Sequence, residues 1–157
     1  MMRIVCPTDF SESAERAVRQ AAGLAKSLGA EVVLVHVESE AQLWREGIMT
    51  PTLRRVFEAQ RKWAADALAE RVVTLAAEGT PARSVVRAGA AWEEIVRVAA
   101  EEHAAMIVMG TQGRTGLERF MLGSVAERVI RRAPCPVLTL RPDTKDTEDT
   151  KGSGGAS

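Results

Sequence analysis

The sequence is short of cysteine, has no surplus charge of either sign and contains no long hydrophobic run. Each shortage removes a class of function. Lys plus Arg and Asp plus Glu stand at 21 each, so electrostatics give no case for a nucleic-acid or membrane-surface partner. The two cysteines, Cys6 and Cys135, do not form a Cys-x-x-Cys pair, which leaves zinc and thioredoxin-type redox readings unsupported. Each sits beside proline at a strand boundary and reads as small apolar filler, reduced in a cytoplasmic chain. No apolar run approaches the ~20 residues of a membrane-spanning helix. The N-terminal Met1-Met2-Arg3-Ile4-Val5 enters a strand-like run without a signal-peptide pattern. The expected setting is the cytoplasm.

What is present is a regular alternation. A length of 157 residues suits one domain with a real core. Apolar runs at 3–6, 31–37, 84–87, 104–109 and 136–140 read as strands, mostly continuous rather than alternating, as in parallel sheets covered on both faces. Between them lie helical patterns. Ala14, Ala17, Val18, Ala21, Leu24, Ala25 and Leu28 share one face and stop at Gly29. Leu53, Phe57, Ala64, Leu68, Val72 and Leu75 mark a second helix from about Pro51 to Glu78. Trp92, Ile95, Val96 and Ala99 mark a third; Val125, Val129, Ile130 and Ala133 mark a fourth, which stops at Pro134. Strand and helix in alternation call for an open doubly wound α/β domain with right-handed crossovers. The connector from Ser39 to Thr50, with Trp44, reads as a surface loop or a lid. Residues 1–142 form the domain, and the polar stretch 143–157 reads as a disordered tail.

The segment from Gly110 to Ser124 carries the chemistry. It follows the fourth strand and opens the fourth helix, an arrangement in which glycines admit an anion to the backbone and helix-start N–H groups point at it. Ser124 with Glu127 reads as a capping box at that helix start. The segment lacks the Gly-Lys-Ser/Thr of a P-loop and the Gly-x-Gly opening of a dinucleotide fingerprint. Arg114 reads equally as a phosphate donor or a solvated loop residue, and Arg119 reads as solvated. Asp9 follows the first strand, where its carboxylate can accept from adenosine, cap the first helix with Glu12, or do both. If the first and fourth strands are neighbours, both loops face one crevice at the carboxyl edge of the sheet. His36 reads as a satisfied strand-end residue, and neither a catalytic triad nor a metal cluster can be assembled.

The stretches Ile4-Val-Cys-Pro-Thr-Asp-Phe-Ser, Leu34-Val-His-Val37, Ile107-Val-Met-Gly-Thr-Gln-Gly-Arg-Thr-Gly116, Leu122-Gly-Ser-Val-Ala-Glu127 and Ala133-Pro-Cys-Pro-Val-Leu138 together resemble the universal stress protein family. Gly110, Gly113, Gly123 and Ser124 satisfy the Gly-x2-Gly-x9-Gly-Ser/Thr pattern of its ATP-binding branch. The resemblance implies a parallel sheet of five strands in the order 3-2-1-4-5 with four helices, of the adenine nucleotide alpha hydrolase-like kind. It implies that Pro7, Thr8 and Asp9 surround the adenosine and that the Val37 backbone meets the adenine edge. Met109 and Gly110 would line the ribose side, and Gly113, Arg114, Gly123, Ser124 and Val125 would hold the phosphates. Mg2+ or Mn2+ would ride on those phosphates with few protein ligands, and homodimers would form through the last strand, Pro136 to Leu140. Gln112 stands where the family often has histidine, and Cys6 where it often has an aliphatic residue.

Three functions follow in order of expectation. The first is a regulatory stress-response protein that binds ATP or another adenine nucleotide with slow or no hydrolysis. The second is a weak ATPase or nucleotidyl-transfer enzyme using Asp9 and Arg114. The third is a protein-interaction module whose glycine segment is only a turn.

Overall fold

The computed structural model describes residues 1–39, 47–112 and 122–141. Its elements, in chain order, are β1 (Arg3–Pro7), α1 (Glu12–Leu28), β2 (Glu31–Glu38), α2 (Pro51–Ala77), β3 (Ala82–Ala88), α3 (Ala91–Glu101), β4 (Met106–Gly110), α4 (Ser124–Arg132) and β5 (Val137–Leu140). The connector segment with Trp44, the loop with Gly113, Arg114 and Arg119, and the polar tail lie outside the described residues.

All five strands are parallel, in the order β3-β2-β1-β4-β5. Alternate residues of one strand face opposite sides, and both sides here are apolar. Ile4, Cys6, Val32 and Leu34 pack with α1 and with Leu68 and Leu75 of α2. Val5, Val33, Val35, Ile107 and Met109 pack with Ile95, Val98 and Ala99 of α3 and with Ala126 and Val129 of α4. Each fully buried Val, Leu or Ile contributes about 1.5–3 kcal/mol. Two-sided burial is why the central strands read as unbroken apolar runs. At the sheet edge β3 alternates instead, with Val86 exposed.

The two edges of the strand array differ in a way that positions function. At the amino edge Arg3, Glu31, Arg83 and Glu102 form one charge network across the starts of β1, β2 and β3. At the carboxyl edge the chain opens. After β1 it turns into α1 on one face; α3 and α4 cover the other. The reversal falls between β1 and β4, whose register pairs Ile4 with Met106 and Val5 with Ile107.

Candidate functional site

The turn after β1 is tied down by hydrogen bonds that its own sequence supplies. Thr8 N–H donates to the Val35 carbonyl at 2.8 Å, which anchors the turn to β2. His36 Nδ1 donates to the Thr8 carbonyl at 2.9 Å, and that bond satisfies the strand-end histidine. Thr8 Oγ1 accepts from Phe10 N–H at 3.1 Å, and Asp9 Oδ1 accepts from Ser11 N–H at 3.0 Å. Phe10 takes a φ of 63°, uncommon for an aromatic residue. Its ring thereby packs on His36 and Trp63, on the α2 side of the sheet.

This arrangement corrects one expectation. Asp9 is not the cap of α1. Ser11 is, its hydroxyl accepting from Ala14 N–H at 3.2 Å. The Asp9 carboxylate instead closes a local turn, the alternative use of a short acidic side chain.

A second correction concerns the fourth helix. Its N-cap is Gly123, without a side-chain cap, and Ser124 is already the first helical residue. Glu127 N–H bonds to the Gly123 carbonyl at 2.9 Å. A capping box needs its hydroxyl at the cap position; Ser124 stands one residue later, makes no cap hydrogen bond and lines the opening.

Both glycines near the opening are required by close approach. A Cβ on Gly110 would meet Ser13 Oγ at 2.1 Å and the Ser13 backbone at 3.1 Å, so α1 packs directly on the end of β4. A Cβ on Gly123 would stand 3.0 Å from the Thr111 carbonyl oxygen. Thr111 is itself held to the end of β5, its N–H donating to the Leu140 carbonyl at 3.0 Å.

These contacts leave a cavity of about 310 Å³ between the ends of β1 and β4. It is lined by Pro7, Thr8, Asp9, Val37, Met109, Gly110, Gly123, Ser124 and Val125, every sequence-predicted site residue that lies within the described residues. Gly113 and Arg114 do not. The volume is at the small end of the ~300–1,000 Å³ typical of ligand pockets. Asp9 is the only charged residue among the described residues that line it.

Sequence reading missed the contribution of α3, whose Ala91 and Ile95 form an apolar wall. One signal was present. Ala90 is the N-cap of α3 and offers no side-chain hydrogen bond. The two helices whose first residues line the cavity, α3 and α4, start uncapped, whereas α1 and α2 start with the side-chain caps Ser11 and Thr50. Uncapped helix starts leave N–H groups for something else to satisfy.

Cys6, one residue before the site, supplies no nucleophile. It is fully buried, and burial, followed by the nearby Glu15 charge, pushes its thiol up to about 12. Burial also raises Cys135. Among the described residues, no three His, Cys, Asp or Glu side chains are grouped to hold a metal ion, and no helix is long and apolar enough to cross a membrane.

An open parallel sheet whose strand order reverses between β1 and β4 defines an α/β domain of the doubly wound class. Within that class the chain belongs to the universal stress protein family, whose model it matches over residues 1–141. It is 38% identical over 158 residues to universal stress protein MJ0531 of Methanocaldococcus jannaschii, covering 92% of this chain and 84% of that one. Among solved structures, hypothetical protein MJ0577 superimposes with a TM-score of 0.79 at 30% identity, over 91% of this chain and 97% of the other; it is a universal stress protein of the same organism. The universal stress protein from Archaeoglobus fulgidus in complex with dAMP superimposes with a TM-score of 0.62 at 29% identity, over 88% of this chain and 97% of that one.

Proposed function

We propose that this protein binds an adenine nucleotide, ATP foremost, in the cavity between β1 and β4, and acts as a regulatory stress-response protein that holds the nucleotide with slow or no hydrolysis. The observation that carries the reading is the convergence of Asp9, Gly110, Gly123 and Ser124 on one cavity beside the uncapped start of α4. The apolar wall of Val35, Val37, Ala91 and Ile95 suits a purine ring. Asp9 suits ribose hydroxyls, which donate to a carboxylate. The α4 N–H groups, the Ser124 hydroxyl and the Gly113-Arg114 loop suit the phosphates. The related protein in complex with dAMP supports the same ligand class.

A divalent cation, Mg2+ or Mn2+, fits this donor set as a passenger on the phosphates. Asp9 is the one carboxylate at the described wall, and the Thr8 and Ser124 hydroxyls are further oxygen donors there that could hold the ion. Slow turnover follows from the same inventory. Phosphoryl transfer needs charge stabilisation and a positioned nucleophile, and the glycine segment has no P-loop lysine and no evident base beside it. The proposed setting is the cytoplasm. The proposed assembly is a homodimer through β5, an edge strand whose Leu138 is exposed.

Calorimetric titration of ATP, ADP and AMP into nucleotide-free protein tests the reading, with mass spectrometry of the freshly purified protein to identify any nucleotide carried along. Binding should raise thermal stability by about 2.7 kcal/mol at a hundredfold excess over Kd. Neither heat nor thermal shift with any of the three would overturn the proposal. Asp9→Asn, which keeps the acceptor for Ser11 N–H, should fold normally and bind about tenfold more weakly.

A further inference from the structure

On the opposite face of the sheet, α1, α2 and β2 enclose a second cavity, of about 360 Å³. Its inner wall is aliphatic. Phe10 and Trp63 also line the cavity, meeting edge to face with centroids 4.8 Å apart, and Trp63 is 55% exposed. Three charged residues line it. Arg71 is ion-paired with Glu15, so the charge left over is that of Glu70, which has no ion-pair partner among the described residues.

We propose that this second cavity binds a small organic cation, an ammonium group on an apolar body, and that its occupancy is felt at the nucleotide cavity. Aromatic faces attract cations through the ring quadrupole, and the residual negative charge beside them favours the same sign. A neutral ligand gains nothing from Glu70, and an anion meets it with Arg71 already engaged. The route to the first cavity is covalent and short. Thr8 lines both cavities. Asp9, next in the chain, lines the nucleotide cavity, and Phe10, next again, lines the second. A ligand that presses on Phe10 and Trp63 acts on the turn that positions Asp9. The effector role rests on the nucleotide reading above; the binding step does not.

Phenethylammonium, phenethyl alcohol and hydrocinnamate share a ring and a short chain and differ in charge. Each is titrated near neutral pH into the full-length protein, and the Trp63 indole N–H is followed by NMR, assigned through its loss in Trp63→Phe. Phenethylammonium should give a saturable shift, with the alcohol roughly fivefold weaker and the carboxylate silent. Glu70→Gln, on the exposed side of α2, should weaken the cation by a similar factor while leaving the fold intact. Equal shifts from all three compounds, no saturable shift, or full affinity in Glu70→Gln would overturn the site. Calorimetry of AMP with and without saturating phenethylammonium then tests the coupling, which is reciprocal by linkage. A change of at least about twofold in AMP affinity, absent in Trp63→Ala, supports it; an unchanged affinity overturns the effector role. If AMP alone fails to bind in the cation's absence, the coupling is read with ATP; if ATP, ADP and AMP all fail, the nucleotide reading fails, and the Trp63 titration still decides the cation site.

Discussion

Gly123 rests on the backbone of Thr111: its N–H donates to the Thr111 carbonyl at 2.7 Å, and a Cβ on it would stand 3.0 Å from that same oxygen. Its φ of −61° is open to any residue, so the requirement for glycine here is contact and not backbone freedom. Thr111 cannot yield easily, because it is bonded in turn to Leu140 through both its N–H and its hydroxyl. Gly123→Ala should therefore cost about 1–2 kcal/mol in denaturant unfolding of nucleotide-free protein. Loss of binding in such a variant reports a displaced loop as much as a crowded phosphate. Unchanged stability would refute the close packing.

Ser124 gives a cleaner test of the ligand. Its hydroxyl does not cap α4, so Ser124→Ala should leave stability within about 0.5 kcal/mol. The same change should weaken ATP by roughly three- to tenfold, the value of one hydrogen bond. A stability loss near ~1 kcal/mol, typical of a deleted cap, would mean that the hydroxyl serves the helix after all.

Gly110 and Ser13 form a second packed pair. Gly110→Ala drives a methyl to 2.1 Å from Ser13 Oγ and should destabilise by about 2–3 kcal/mol. Ser13→Ala in the same chain removes that oxygen and should return part of the loss, leaving the contact with the Ser13 backbone. A double-mutant cycle on unfolding free energies reads the coupling directly; strict additivity would contradict the contact.

Cys6 sets an alkaline limit. Its thiol is held protonated in the fold, up to about 12, against a reference of 9.0. The folded chain thus holds this proton more firmly than the unfolded chain. The contribution is fully present below pH 9.0 and is lost as pH rises towards about 12. Denaturation midpoints should fall over that interval, and Cys6→Ala should flatten that part of the profile after allowance for its cavity. In native protein at mildly alkaline pH, iodoacetamide should label half-buried Cys135 well before Cys6.

Much of the fold was legible because burial on both faces of a parallel sheet writes itself as apolar runs. Val32 to Val35 is one such run, and each of its residues is buried. The strand order was legible only through the resemblance, since nothing in Ile4-Val5 or Ile107-Val108 states which strand lies beside which. Helix termini were the weak point. Ser11 and Ser124 are both serines at helix starts, each followed by an acidic residue within three positions. One caps and the other does not, because Gly123 is seated on Thr111, a contact distant from any capping pattern.

By itself, the sequence determined the composition of the layers: five apolar runs, four amphipathic or mixed helices between them, and a glycine segment that follows the fourth run. Those are local properties, set by periodicity and by what glycine and proline permit. Only the tertiary structure decided what shares a cavity. Ala91 and Ile95 come from the crossover after an edge strand and reach Asp9 and Ser124 because α3 and α4 lie on the same face of the sheet. Phe10 was turned to the opposite face by its positive φ and by partners on β2 and α2, distant in sequence. Such meetings depend on strand order and register, and these are settled when the whole sheet packs, not within any window of the chain.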